Sequence, residues 1–114
     1  MLVIRKSQMD EFVKYELKKF EDFMVSHLRQ ELPEKVKDVP EEILRNIIQK
    51  GISVAENYGI RIEDDVKRYI DLMFILGEDF DTSEESIWAG ELLKKEEMEP
   101  EERLNKIFEL LEGH

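Results

Sequence analysis

Apolar residues recur along this chain at three- and four-residue steps in five stretches, the pattern of helices that bury one face. From Gln8 onward, Met9, Phe12, Val13, Phe20, Phe23, Met24, His27 and Leu28 mark one side of a long first helix. Lys14, Lys18, Lys19, Glu21 and Asp22 fall largely on the other side, with Lys18 and Asp22 spaced as an attractive pair. Ser7 is placed to cap this helix, with Asp10 three residues later in capping-box position. Pro33 disfavours helical geometry in the residue before it, so the helix should stop near Leu32. Residues 33–39 read as a connector with one helical turn.

The second helix carries Ile43, Leu44, Ile47, Ile48, Ile52, Ala55 and Tyr58. Pro40 suits its first turn, and Glu41 and Glu42 suit the positive end of its dipole. Gly51 interrupts the pattern at a cost of about 1 kcal/mol relative to alanine, which close approach of a neighbouring helix would explain. Gly59 is placed as a left-handed C-cap. The third helix starts near Ile62, with Glu63, Asp64 and Asp65 in its first turn. Val66, Tyr69, Ile70, Met73, Phe74 and Gly77 mark one face. Leu72, Ile75 and Leu76 make its end apolar almost all round, so it should be the central helix. A short fourth helix with Ile87, Trp88, Leu92 and Leu93 is capped by Thr82 or Ser83. A fifth opens at Pro100 and buries Leu104, Ile107, Phe108 and Leu111.

The expected fold is therefore all-α, a compact bundle of about five helices with the third central and packed by the first two. It forms one domain over residues 1–114, with an N-terminal arm at 1–6 and a tail at 113–114. The expected core is Phe12, Phe20, Met24, Leu28, Ile43, Ile47, Ile48, Ile52, Ala55, Tyr58, Val66, Ile70, Met73, Phe74, Ile87, Trp88, Leu104, Ile107 and Phe108.

Composition narrows the function classes. The chain is 41% hydrophobic and 39% charged and has no cysteine, which excludes a disulfide framework and thiolate metal ligands. No stretch approaches the roughly 20 apolar residues of a membrane span, and the short apolar start does not read as a signal peptide. The expectation is a soluble, cytoplasmic protein. The net charge is −11 and lies almost wholly in one half. Residues 1–60 hold 10 Lys/Arg against 11 Asp/Glu, and residues 61–114 hold 7 against 17. That balance disfavours nucleic acid and anionic lipid, and favours either solubility or a basic protein partner.

Candidate chemistry is sparse. His27 lies on the apolar face of the first helix and reads as a core histidine; the only other histidine is His114. No zinc motif, nucleophile elbow or phosphate loop is present. Asp79, Asp81 and Ser83 have the 1-3-5 spacing of a calcium loop, but Glu84 stands where glycine is required and Gly90 where the bidentate glutamate is required. No catalytic residue, cofactor or metal is assigned. A metal-regulated or hydrolytic role for the acidic loop 78–85 stays as an alternative. What remains is surface: Asp79, Phe80, Asp81, Glu84, Glu85 and Trp88 form the candidate partner-binding set, an acidic rim with aromatic anchors. The apolar run Leu72–Leu76 must be covered by the chain itself or by a symmetric copy.

The run Lys50-Gly51-Ile52, Ala55-Glu56-Asn57-Tyr58-Gly59-Ile60, Glu63-Asp64-Asp65-Val66, Tyr69-Ile70-Asp71-Leu72-Met73-Phe74, Gly77-Glu78-Asp79-Phe80-Asp81 and Trp88-Ala89 resembles a family of small bacterial helical proteins. The openings Ile4-Arg5-Lys6-Ser7-Gln8-Met9 and Phe23-Met24-Val25-Ser26-His27-Leu28 resemble it too. Such proteins are encoded beside spike, PAAR-type tip and effector genes of type VI secretion systems. The resemblance covers residues 4–93. It departs at Ile87, where the family usually has proline. The family brings no established activity. Its setting implies a non-enzymatic accessory or adaptor, chaperone-like, for a secretion effector or spike. The alternative is an immunity protein that occludes a cognate toxin.

Overall fold

Why the third predicted helix sits at the centre is visible at Gly51. In the computed structural model, which describes residues 11–113, helix α3 (Glu41–Asn57) packs on α4 (Glu63–Ile75). A Cβ on Gly51 would lie 2.7 Å from Ile70 Cγ1 and 2.8 Å from Met73 Sδ. The missing side chain lets the two helices approach closely, which is what the interrupted pattern required. α4 also packs against α1 (Glu11–Glu31) and α6 (Pro100–Glu112). Leu72 and Met73 are buried, and Phe74 and Leu76 pack half-buried against the core. The chain thus covers most of its own apolar run, and only Ile75 reaches 36% exposure.

Local sequence sets the boundaries. α1 ends at Glu31, before Pro33, and α2 (Pro33–Val36) is the single turn expected in the connector. Arg29 fixes that connector by donating to the carbonyls of Val36 at 2.6 Å and Val39 at 2.9 Å. α3 closes in a Schellman arrangement. Gly59, at φ +80°, donates to Glu56 O, and Ile60 donates to Ala55 O. Ile60 is fully buried behind this turn. Gly77 takes φ +128° and turns the chain out of α4. A 3-10 turn, Glu84–Ser86, then leads into α5 (Ile87–Leu93). α5 packs on α6, which starts at Pro100 as expected.

The bundle is all-α, with six helices and no strand among the described residues. The helix beyond the five expected is the one-turn α2. Three expected core residues are at the surface: Phe12, Ile43 and Ile87, at 67%, 48% and 59% exposure. On α1 the buried residues begin only at Phe20, so its first turns extend past the helices it packs on. On α3 the buried face runs through Leu44, Ile48, Gly51 and Ile52, which turns Ile43 outward. On α5 the face runs through Ala89, Gly90 and Leu93, which turns Ile87 outward. The arm at 1–6 and the Ser7 cap lie outside the described residues.

Candidate functional site

The acidic segment after Gly77 is a folded corner, and most of its groups are engaged within the chain. Phe80 points inward at 1% exposure, with its ring 5.1 Å from Tyr69. Its carbonyl accepts from Ser86 Oγ at 2.7 Å. Gly90 packs against the other strand of the corner, where an added Cβ would collide with the backbone carbonyl of Asp81. Lys50 Nζ, on α3, reaches Asp79 Oδ1 at 2.7 Å and Glu78 Oε1 at 3.2 Å. The bond to Asp79 holds the Lys50 pKa above its ordinary value. Tyr58 donates to Asp81 Oδ2 at 2.7 Å. Burial, reinforced by that bond, pushes the Tyr58 phenol up to about 12. Burial also raises the neighbouring Tyr69.

This arrangement revises the candidate partner-binding set. Phe80 is a core residue and has no surface to offer. Its burial closes the corner, and a helical pattern does not reveal it because it lies in a turn. Asp79 and Asp81 hold the corner to α3. Glu84 and Glu85 are exposed and make no ion pair among the described residues, and Trp88 is half-buried against the core. Sequence reading placed Ile87 in the core, but it stands exposed between the two glutamates and the tryptophan. The calcium-like spacing does not converge, because Asp79 turns to Lys50 and Asp81 to Tyr58. Among the described residues no three His, Asp or Glu side chains come together as a metal site.

Two further clusters lie at clefts. His27 Nε2 meets Asp71 Oδ1 at 2.8 Å, joining α1 to α4, and Lys67 Nζ lies 3.5 Å from Asp71 Oδ2. The Phe23 ring stacks on His27 at 5.8 Å. His27, Lys67 and Asp71 border a groove of about 450 Å³ with Glu31, Leu32, Ile75 and Phe108. Among the described residues no hydroxyl or thiol lines it, so no described nucleophile stands beside the imidazole–carboxylate pair. The sequence signal for this cluster was the Lys67–Asp71 spacing alone, since His27 is 44 residues from its partner.

The second cluster is Arg103, 5% exposed. Its Nε donates to Met98 O at 3.1 Å, and its Nη1 donates to Tyr58 O at 3.0 Å and to Leu93 O. Tyr58 and Leu93 end α3 and α5, so two negative helix ends converge on one guanidinium. Arg103 borders a cleft of about 480 Å³ with Glu56, Asn57, Gly59, Arg61, Lys94 and Glu96. Nothing in the periodicity marked it, because an arginine at the start of an amphipathic helix reads as surface.

No protein-family model matches the chain, and no curated protein and no solved structure is significantly similar to it. No described helix is long and apolar enough to cross a membrane.

Proposed function

We propose that the protein is a non-enzymatic binding module, an accessory or adaptor for a type VI secretion effector or spike. Its partner docks on the corner formed by Glu84, Glu85, Ile87 and Trp88. The observation that carries this reading is Ile87, a branched apolar side chain 59% exposed, close in sequence to Glu84 and Glu85, exposed carboxylates with no ion pair among the described residues. An apolar centre with an acidic rim suits a basic partner surface. Ser86 ties this corner to Phe80 O, and Lys50 and Tyr58 tie the adjoining Asp79 and Asp81 to α3, which lowers the ordering cost of binding. The type VI setting rests on the sequence resemblance.

Calorimetry of the chain with the effector or spike encoded beside it tests the reading. Ile87→Asp, a surface change, should weaken binding by roughly tenfold or more, as loss of a central anchor does. Glu84→Gln with Glu85→Gln should slow association and flatten the salt dependence. If neither variant alters binding, the corner is not the interface. If the neighbouring proteins do not bind, the secretion assignment is wrong. If the chain alone rescues cells from the neighbouring toxin, its role is immunity.

A further inference from the structure

The chain holds 28 acidic and 17 basic residues, yet the three cations of the Arg103 cleft, Arg103, Arg61 and Lys94, make no salt bridge among the described residues. Arg103 is a guanidinium with five N–H donors and no acceptor, and it is 5% exposed. A buried cation ordinarily lies against an anion. This one has only carbonyl oxygens, at Met98, Tyr58 and Leu93, all on Nε and Nη1. Nη2 has no acceptor among the described residues. Arg61 and Lys94 line the same cleft, and neither makes an ion pair among the described residues. Gly59 leaves the approach open: a Cβ there would meet only Arg103 Nη2, at 4.0 Å.

We propose that this cleft binds a carboxylate, held by the free Nη2 edge of Arg103 with Arg61 and Lys94 beside it. The charge of the lining selects a monoanion. Three cations face Glu56 and Glu96, which leaves a single net positive charge for the ligand to meet. A phosphate dianion would add repulsion from both glutamates and from the carbonyls around the guanidinium. The cleft volume of about 480 Å³ falls within the range of small-molecule sites. It would take a small organic acid or the C-terminal carboxylate of a peptide. The cleft shares no residue with the Glu84–Trp88 corner, so it stands or falls separately from the docking surface.

The test is a titration of the whole chain followed by 1H–15N correlation spectra. The probes are acetate, acetyl-diglycine and acetyl-diglycine amide, with phosphate and chloride at matched ionic strength. The expected result is saturable shifts of the Gly59 and Arg61 amides and the Arg103 Nε–H with both acids. The amide, phosphate and chloride should produce none. Lys94 is exposed and Arg61 half-buried; Lys94→Glu and Arg61→Glu should each weaken the acid by roughly fivefold or more, with a retained dispersed spectrum showing that the fold is intact. Tighter binding of the peptide acid than of acetate identifies a peptide terminus, and equal binding identifies a small acid. The proposal is overturned by linear shifts spread over the surface, by equal shifts with chloride or phosphate, or by charge-reversal variants that bind as the wild type does.

Discussion

Two glycines and one aspartate show how single atoms decide this fold. At Gly90 the obstacle to a side chain is the backbone oxygen of Asp81, which has no rotamer to change. At Gly51 the obstacles are Ile70 and the thioether of Met73, and the latter can swing aside. Alanine also gains about 1 kcal/mol of helix propensity at either site. Gly90→Ala should therefore destabilise by about 3 kcal/mol and Gly51→Ala by about 1 kcal/mol, within the range for overpacking. Urea unfolding measures both, and a reversed order would contradict the corner geometry. Asp65, 7% exposed, carries the opposite kind of burden. Burial raises its pKa above the ordinary value, partly offset by Arg68 and reinforced by Glu101 and Asp64. A raised carboxyl binds its proton more tightly in the folded chain than in the unfolded one. Its contribution is thus fully present below the unfolded pKa and lost as pH rises through the folded pKa. Asp65→Asn should be more stable than wild type at neutral pH, with the gap closing on acidification. Thermal melts of the two proteins across pH 3 to pH 7 would reveal a gap of the wrong sign.

At the scale of elements, the chain is tied by polar contacts between residues far apart in sequence, set upon helices that periodicity alone predicts. The long helices, the stop before Pro33, the close approach at Gly51 and the left-handed cap at Gly59 were legible because each is a local constraint. Phe80, Ile87, His27 and Arg103 were not. Phe80 is buried by a turn that folds back on Tyr69. Ile87 is exposed because the 3-10 turn delays the start of α5 and sets its phase. His27 and Arg103 find their partners 44 and 45 residues away, and no spacing rule encodes that. The His27–Asp71 bridge should act as a clasp between α1 and α4. A double-mutant cycle with His27→Ala and Asp71→Ala should give a coupling of about 1–2 kcal/mol, as for a part-buried charged hydrogen bond. Coupling near zero would reduce the pair to a surface contact. Arg103 should be costlier to lose. Arg103→Met strands the carbonyls of Tyr58, Leu93 and Met98 and should destabilise by roughly 3 kcal/mol or more. Lysine should not rescue it, since an ammonium lacks the planar fork that reaches carbonyls on three sides.

For the whole molecule, charge acts with opposite signs on folding and on the proposed association. The net charge of −11 makes the folded chain repel itself, most strongly in the half that contributes α5 and α6. Salt screens this over a Debye length of about 10 Å at 0.1 M, so added sodium chloride should raise the melting temperature of the free protein. The same screening should weaken capture of a basic partner by Glu84 and Glu85, through a slower encounter. The pairs that hold the acidic corner, Lys50 with Asp79 and Tyr58 with Asp81, are short-range contacts at 2.7 Å and are less sensitive to salt than the summed repulsion. Melting the free chain and its complex with the neighbouring effector in parallel, from low salt to about 0.3 M, separates the two effects. The free midpoint should climb while the stabilisation by the partner shrinks. If the two curves instead rise together, the interface is apolar and rests on Ile87 and Trp88. If the free midpoint falls, local ion pairs outweigh net repulsion, and the acidic surplus serves some purpose other than a charged face held in reserve.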